Sequence, residues 1–295
     1  MPAVTVITDP SGFDWVLDGT NGVWEQPGKK GFHAPTYQHY RDESPAVAGA
    51  YWRGVRTLPR ELIVPVVIRQ FDRDDLLSSR RSLIAAIGPE EGECVITSSW
   101  PDGSERHIRC RYVDGMEAGE QGPGEYGITT SRYSLRFMAD DPYFYGDEVS
   151  QDYQLVASSR TELPIPGSDT FFEVVTSPLL SGGGVSFNNT GDVASYPIWS
   201  FTGPYTSIVA QNTTSGKSFT ITYTAATTSN RLDLVTEPGK TYLVDENGIN
   251  RWNTLTAGYQ LWPLVKGNNV FNITLTGADA TSVARLRYTP LYKGD

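Results

Sequence analysis

The sequence predicts a mainly β protein with two domains and a single helix. The chain has 295 residues, more than one hydrophobic core usually spans. Its 29 glycines and 19 prolines separate many short apolar runs, which is typical of strands joined by tight turns. Hydrophobic residues make up 39% and charged residues 20%, so the composition indicates a folded chain rather than a disordered one.

The charge of the chain changes near residue 150. Residues 1–149 contain 23 acidic and 15 basic residues, a net charge of −8, whereas residues 150–295 contain 11 and 9, a net charge of −2. A spacer, "SSRTELPIPGSDT" (158–170), follows this change, and its prolines are expected to stiffen it. We therefore predict one domain over 1–149 and a second over 150–295.

The N-terminal domain is predicted to begin with short strands at 4–7 and 13–17. The next segment, 21–49, is rich in glycine and proline and has little periodicity, and such long loops are usually functional or contact a partner. "RELIVPVVIRQF" (60–71) is predicted to be a strand. Because Pro65 lacks a ladder donor, this strand is expected at a sheet edge or a bulge.

One helix is predicted within 72–92. Asp72 or Asp74 can cap its start, and Gly88-Pro89 ends it. Its apolar stripe is predicted to comprise Leu76, Leu77, Leu83, Ile84 and Ile87.

Both cysteines lie in a predicted β-hairpin at 93–113, with Pro101-Asp102-Gly103 as a three-residue loop. This register places Cys94 opposite Cys110 and Ile96 opposite Ile108 on one apolar face. Opposed cysteines can form a disulfide, but an intracellular chain favours two buried thiols. A metal site is disfavoured because there is no paired C-x-x-C spacing.

A glycine-rich loop (114–127) leads to a predicted strand at 128–139, and three aromatic residues then close the domain. They lie in "RFMADDPYFYG" (136–146), where the residues of interest are Asp141, Pro142, Tyr143, Phe144 and Tyr145. We predict that this segment packs under the first domain at its junction with the second. The alternative is a contact with a neighbouring subunit.

The second half reads as a β-sandwich, because short Thr/Val/Tyr-rich segments alternate with turn signals and no helical pattern occurs. Asn247-Gly248 predicts a two-residue hairpin, and Ser181–Gly184 predicts a flexible loop. The predicted strands are "FFEVVT", "GVSFNNTG", "SYPIWSFTG", "SFTITYTA", "RLDLVTE", "KTYLVDENGINRWN", "NNVFNITLTG" and "SVARLRYTPLY".

The sequence predicts no enzyme and no cofactor or metal site. The three histidines are scattered, no G-x-S-x-G motif occurs, and a turn at 245–248 resembles a calcium loop only faintly. Each carboxylate pair consists of sequence neighbours, which cannot face each other across a sugar. A net charge of −10 argues against nucleic-acid binding. The start lacks signal-peptide features and the longest apolar run is 62–68, so we expect synthesis in a cytoplasm without membrane insertion.

Three aromatic residues of the second half are candidates for glycan contact. Trp252, Tyr259 and Trp262 lie near predicted loops, where exposed rings could stack on a sugar while Asn and Arg side chains bind its hydroxyls. Packing in the sandwich core is the other interpretation, and it is the favoured one for Trp262 and, by a smaller margin, for Trp252.

Four segments carry a family resemblance. "RYSLRFMADDPYFYG" (132–146) resembles the strand and Asp-Pro-aromatic signature of distal tail proteins from phages with long, non-contractile tails. "HYRDESPAVAGAYWRGVRTLPRELIVPVVIR" (39–69) is similar to the matching stretch of minor tail proteins from phages of actinobacterial hosts. "NTGDVASYPIWSFTGP" (189–204) and "LWPLVKGNNVFNITL" (261–275) resemble the C-terminal galectin-like sandwich of that family.

The resemblance implies a structural virion protein of the tail tip. Its N-terminal domain would be a tail-tube-like β-sandwich with one flanking helix, and six copies would form a ring around the DNA channel. One face of the ring would meet the tail-tube protein and the other the tail-tip hub protein. The galectin-like domain would face outward, where receptor-binding proteins or a host glycan could attach. A free-standing carbohydrate-binding protein is the alternative, and a sandwich glycosidase is a weaker one.

Overall fold

The computed structural model describes residues 4–43, 45–46, 48–117, 129–154 and 179–295. The fold is mainly β, with one α-helix among these residues. The chain divides into two compact units. The first comprises Met1–Gly146 together with Tyr292–Asp295, and the second comprises Asp147–Leu291.

The first unit contains ten strands and the helix in its described part. In chain order they are β1 Val4–Thr8, β2 Asp14–Val16, β3 Val23–Glu25, β4 Tyr37–Glu43, β5 Ala50–Thr57, β6 Arg60–Arg69, α1 Arg73–Ala86, β7 Cys94–Ser99, β8 Glu105–Asp114, β9 Thr130–Ala139 and β10 Phe144–Tyr145.

The main sheet of the first unit closes on itself around a core. Its strands follow the order β2-β1-β7-β8-β9-β6-β3. The two end strands meet, because Glu25 N–H donates to the Leu17 carbonyl at 2.8 Å and Asp18 forms a bridge with Trp24. Residues that alternate along β6 and β9 face the enclosed core, among them Leu62, Val64 and Phe137, which are fully buried.

The predicted helix is confirmed, but its apolar stripe is narrower than expected. The Asp72 side chain caps it by accepting a hydrogen bond from Asp75 N–H at 2.8 Å. Leu76, Leu83 and Ile87 are buried, at a spacing of seven and four residues that keeps one face toward the sheet. Ile84 is exposed, since it lies one residue beyond that face.

The predicted register and three-residue loop of the cysteine hairpin are both confirmed. Trp100 N–H donates to the Ser104 carbonyl at 2.9 Å, and Gly103 takes the positive φ that the loop requires. Cys94 lies opposite Cys110, and both are buried free thiols. Burial raises the pKa of Cys94 to about 11 and also raises that of Cys110, so both thiols stay protonated near neutral pH.

Pro65 does not lie in an edge strand, contrary to the prediction. Strand β6 pairs along its whole length with β9 and, at Val66–Ile68, with the short edge strand β3. The Pro65 carbonyl accepts from Gln26 N–H, so its missing donor also points to the β3 side. The ladder on that side is interrupted after β3 and resumes only at Lys30, which is why a proline is tolerated there.

The second unit is a sandwich of two antiparallel sheets in the described residues. One sheet has the order β11-β19-β13-β16-β17 and the other β12-β18-β14-β15. Their bounds are β11 Val149–Gln154, β12 Leu179–Asn189, β13 Ile198–Thr202, β14 Tyr205–Asn212, β15 Ser218–Ala225, β16 Arg231–Val235, β17 Tyr242–Asp245, β18 Gly267–Thr276 and β19 Val283–Tyr288. A 3-10 turn, Trp252–Thr254, precedes β18, and the short strand β20, Leu291–Tyr292, lies where the chain passes from the second unit back to the first.

An aromatic cluster fills the space between these two sheets. Trp199 packs edge-on against Phe271, with ring centroids 5.6 Å apart, and Phe219 stacks on Trp262 at 5.3 Å. These four rings are buried and lie in one continuous core. Aromatic pairs in such geometries add to the stabilisation that comes from burial alone.

Two predicted loops of the second unit differ from expectation. The turn at Asn247-Gly248 has three loop residues, because Asp245 N–H donates to the Ile249 carbonyl and Gly248 has a φ of +75°. The Asp245 carboxylate accepts from the backbone N–H groups of Asn247 and Ile249, which stabilises this longer turn. The glycine run at 181–184 lies inside β12, where the pairing register shifts between Gly182 and Val185.

Some predictions fall outside the described residues. They concern the spacer at 158–170, the strand "FFEVVT" and most of the glycine-rich loop at 114–127. The second unit also contains β14 and β11, which the sequence analysis did not predict as strands.

Candidate partner-binding surface

Strands β4 and β5 form a hairpin that lies apart from the other described sheets. They pair only with each other in the described structure. All seven residues of β4 and six of the eight residues of β5 are exposed to solvent. The segment 21–49 was predicted to be an irregular loop, so β3 and the first strand of this hairpin correct that prediction.

The hairpin carries large apolar side chains on both faces. Residues that pair across the strands share a face, so Trp52 lies beside Arg41 on one face, whereas Tyr51 lies beside Asp42 on the other. Tyr51 is 61% exposed and Trp52 is 63% exposed. The other exposed large residues of the hairpin are Tyr37, Tyr40 and Val55.

Such a hairpin is a candidate surface for contact with a partner. A two-stranded hairpin is marginally stable in water by itself, and clustered exposed aromatic side chains mark interaction sites. A bulge at Arg53, which the register leaves unpaired between Trp52 and Gly54, bends the hairpin locally. The Arg53 Nε donates to Asp42 Oδ2 at 2.6 Å and fixes the bulge.

The charge of the hairpin differs in sign from the rest of its domain. Residues 37–57 contain three arginines and two acidic residues, a net charge of +1. The remainder of 1–149 contains 12 basic and 21 acidic residues, a net charge of −9.

The aromatic segment near residue 144 anchors the base of this hairpin. The hydroxyl groups of Tyr143 and Thr57 lie 3.0 Å apart, and Tyr143 N–H donates to Asp141 Oδ1 at 3.1 Å. Phe144 is fully buried and packs on Phe32, with ring centroids 6.1 Å apart. These contacts of the predicted junction residues all lie within the first unit.

Tyr145, the last residue of the aromatic segment, lies in β10 and pairs with strand β8. It pairs with His107, and their ring centroids lie 5.4 Å apart, while the Arg109 guanidinium carbon lies 5.5 Å from the Tyr145 ring. Pro142, also predicted at the junction, lies in the turn that leads into β10 and is partly buried. A contact of this segment with a neighbouring subunit stays a prediction.

Arg60 holds the chain that leads into the hairpin. Its Nη1 donates to the carbonyls of Gly31 and His33 at 2.8 and 2.9 Å, and its Nη2 donates to the Lys293 carbonyl at 2.6 Å. Asp295 N–H also donates to the Phe32 carbonyl. The four C-terminal residues thus belong to the first unit, whereas the sequence analysis placed them with the second half.

The three candidate glycan-contact residues have different environments in the second unit. Trp262 is 2% exposed and lies in the aromatic core, so its ring is not accessible to a sugar. Trp252 is half-buried and packs against the same core. Tyr259 is 39% exposed, and its ring meets Trp252 edge-on at 5.4 Å. Of these three residues, Tyr259 is exposed and Trp252 is partly exposed.

The whole chain resembles solved phage hub and baseplate structures. It superposes on Dit (gp 19.1) of phage SPP1, described as a paradigm of the hub adsorption apparatus of phages that infect Gram-positive bacteria. The TM-score is 0.69 with 17% identity, over 98% of this chain and 99% of that one. The chain has the fold of SPP1 Dit.

Two further structures extend this comparison. They are the phage P2 baseplate in its activated conformation with calcium and with strontium, with TM-scores of 0.53 and 0.52 and 7% identity. The match covers 98% of each chain in both cases. No profile of a known protein family matches the sequence, and no curated protein does either.

The three histidines lie in different segments of the first unit. His33 lies in the chain leading to the hairpin, His39 in the hairpin and His107 in β8. No group of three His, Cys, Asp or Glu side chains in the described part is placed to hold a metal ion. No described helix is long and apolar enough to cross a membrane.

Sequence reasoning missed the aromatic side chains of the hairpin as site residues. It singled out the segment 21–49 as partner-facing but named no residue in it and did not consider Tyr51 or Trp52. The available signal was the density of aromatic and arginine residues in "HYRDESPAVAGAYWRGVR" (39–56), which no apolar alternation explains.

Proposed function

We propose that this chain is a structural component of a phage tail tip and assembles as a ring of six copies around the DNA channel. The first unit, predicted over 1–149, forms the ring, and the second, predicted over 150–295, is an outer galectin-like domain. The observation that carries the proposal is the isolated, aromatic-rich β4–β5 hairpin, in a chain that shares its fold over 98% of its length with SPP1 Dit.

The hairpin is the proposed contact between neighbouring copies. Its exposed aromatic side chains supply apolar area, and its net charge of +1 complements the net charge of −9 on the rest of 1–149. Arg41 and Arg56 are exposed and free to pair with acidic residues of a neighbour. Contacts of this kind repeat around a closed ring because each copy both gives and receives a hairpin.

The remaining partners follow from this role. One face of the ring would meet the tail-tube protein and the other the tail-tip hub protein, and the second unit would carry receptor-binding proteins or touch a host glycan. The protein would be made in the host cytoplasm and would reside at the virion tail tip. The acidic first domain would line the channel, where a negative wall lets DNA pass without binding it.

Replacing both exposed aromatic residues tests the hairpin contact. In a Tyr51→Ser, Trp52→Ser variant we expect the assembled species to disappear, because the apolar centre of the contact is removed. The stability of the single chain should change by less than about 0.5 kcal/mol, since both side chains are exposed. Sedimentation at several concentrations measures the assembly, and urea unfolding measures the stability.

The matched control replaces an exposed aromatic residue in the second unit. Tyr242 lies in β17 and is 47% exposed, so Tyr242→Ser removes an exposed aromatic side chain without touching the hairpin. This variant should assemble as the wild type does. Unchanged assembly of the hairpin variant would contradict the proposed contact.

A carbohydrate-binding role is a second candidate. It is favoured by the exposed ring of Tyr259, which Trp252 holds edge-on and which could stack on a sugar. A Tyr259→Ala variant should then lose binding to host cell-wall glycan while still assembling. Equal glycan binding by the variant and the wild type would exclude this site.

A further inference from the structure

A polar cleft lies on the face of the five-stranded sheet that points away from the core of the second unit. On strand β13, Trp199 and Phe201 face the core, so Ser200 faces the opposite side. The cleft has a volume of about 340 Å³. It is lined by Asp152, Ser200, Thr202, Arg231, Val283, Arg285 and Arg287.

The sheet register gathers three arginines around two hydroxyl groups. Ser200 lies opposite Arg285 on β19, and Thr202 lies opposite Arg231 on β16. Arg287 is two residues beyond Arg285 on β19 and therefore shares its face. The lining residues carry three positive charges and one negative charge, and the carboxylates of Asp233 and Glu148, which contact Arg231 and Arg287, balance the other two positive charges.

Two of the three guanidinium groups are already fixed by carboxylates. Arg285 donates through Nε and Nη2 to the two oxygens of Asp152, at 2.5 and 2.8 Å. The Arg231 Nη2 lies 3.0 Å from Asp233 Oδ2. Bidentate and short charge-assisted contacts orient these side chains before any ligand arrives, which lowers the entropic cost of binding.

Arg287 has the longest contacts of the three guanidinium groups. Its Nε is buried and makes no hydrogen bond to any described residue. Its Nη2 lies 3.5 Å from Ser200 Oγ and its Nη1 lies 3.7 Å from Glu148 Oε1, both long contacts. The side chain is 32% exposed and can reach a ligand in the cleft.

We propose that this cleft binds a phosphate group of a ligand outside the chain. Its donors come from three guanidinium groups and two hydroxyl groups, which suits the several acceptor oxygens of a tetrahedral phosphate better than the two of a carboxylate. The phosphate is either a free ion or part of a phosphate-bearing polyol. This inference does not depend on ring assembly, because every lining residue belongs to the second unit.

Titration of the full-length protein with three small probes tests the proposal. The probes are inorganic phosphate, glycerol phosphate and uncharged glycerol, followed by calorimetry or by NMR shifts. Phosphate and glycerol phosphate should bind with dissociation constants near ~1 mM, and glycerol should not bind. Tighter binding of glycerol phosphate identifies a phosphate-bearing polyol as the ligand class, and equal binding identifies the phosphate ion itself.

Two variants distinguish the cleft from general attraction to positive charge. Arg287→Gln should weaken phosphate binding by about tenfold or more, because it removes the charged donors that have no strong partner. Lys240→Gln also removes one positive charge from the second unit, but at a side chain that is 73% exposed and lies outside the cleft. It should bind as the wild type does.

A third variant tests the cleft independently, in case Arg287→Gln perturbs folding. Thr202→Val removes one hydroxyl donor without changing charge and should weaken binding by a smaller factor. Equal binding by wild type, Arg287→Gln and Thr202→Val would overturn the proposal. Absence of phosphate binding by the wild type, or glycerol binding as tight as that of glycerol phosphate, would also overturn it.

Discussion

Phe144 connects the aromatic segment before residue 147 to the core of the first unit. Its ring is fully buried, packs on Phe32, and has the Arg60 guanidinium carbon 5.0 Å from its centroid. The same guanidinium donates to the chain that leads into the β4–β5 hairpin. Phe144 therefore supports the residues that position the proposed partner contact.

Truncation of Phe144 should be strongly destabilising. We expect Phe144→Ala to lower the free energy of unfolding by about 3–5 kcal/mol, since it leaves a cavity among buried side chains. Phe71 provides the control, because its side chain is 98% exposed and Phe71→Ala should change stability by less than about 0.5 kcal/mol. Urea unfolding measures both, and a cost for Phe144→Ala as small as that of the control would contradict this packing.

Single residues were predictable where a turn and an alternating pattern agree. Cys94 and Cys110 were placed opposite each other because the Pro101-Asp102-Gly103 loop fixes one register and burial of one face confirms it. The exposure of Ile84 was not predictable in the same way. A helix stripe is wide, and only the position of the sheet below decides which of its edges is buried.

At the scale of elements, most strands with one buried face were predictable, although β14, which has the same pattern, was missed; the β4–β5 hairpin was not predictable. The alternation that reveals a strand arises because one face packs on a core, as it does along β9. Strands β4 and β5 are exposed on both faces, so their sequence lacks that alternation. The sequence therefore predicted a loop at 21–49, although it also indicated that this segment contacts a partner.

The start of helix α1 gives a prediction at this scale. Asp72 accepts from Asp75 N–H and so satisfies one of the free donors of the first turn. Asp72→Ala should cost about 1 kcal/mol of unfolding free energy, whereas Asp72→Ser should cost much less because serine can also cap. The two variants are compared by thermal unfolding, and equal losses would show that the cap does not contribute.

At the scale of the whole molecule, the chain runs from the first unit to the second and then returns. It leaves at Gly146 and re-enters at Tyr292, whose ring lies 3.5 Å from the Arg106 guanidinium carbon. Composition indicated a change near residue 150, but no pattern in the last residues indicated the return. The Lys293 carbonyl accepts a hydrogen bond from Arg60, and the buried Asp295 carboxylate lies near Lys29. Such contacts between distant parts of the chain leave no local pattern in the sequence.

The solution mass of the purified protein decides whether this chain assembles into the proposed six-membered ring. Six copies of the 32.5 kDa chain give a mass of 195 kDa. Light scattering over a range of concentrations, with negative-stain images of the largest species, should show that mass and a six-fold ring with an open centre. A strict monomer at every concentration, or a closed assembly of another number of copies, would contradict the account.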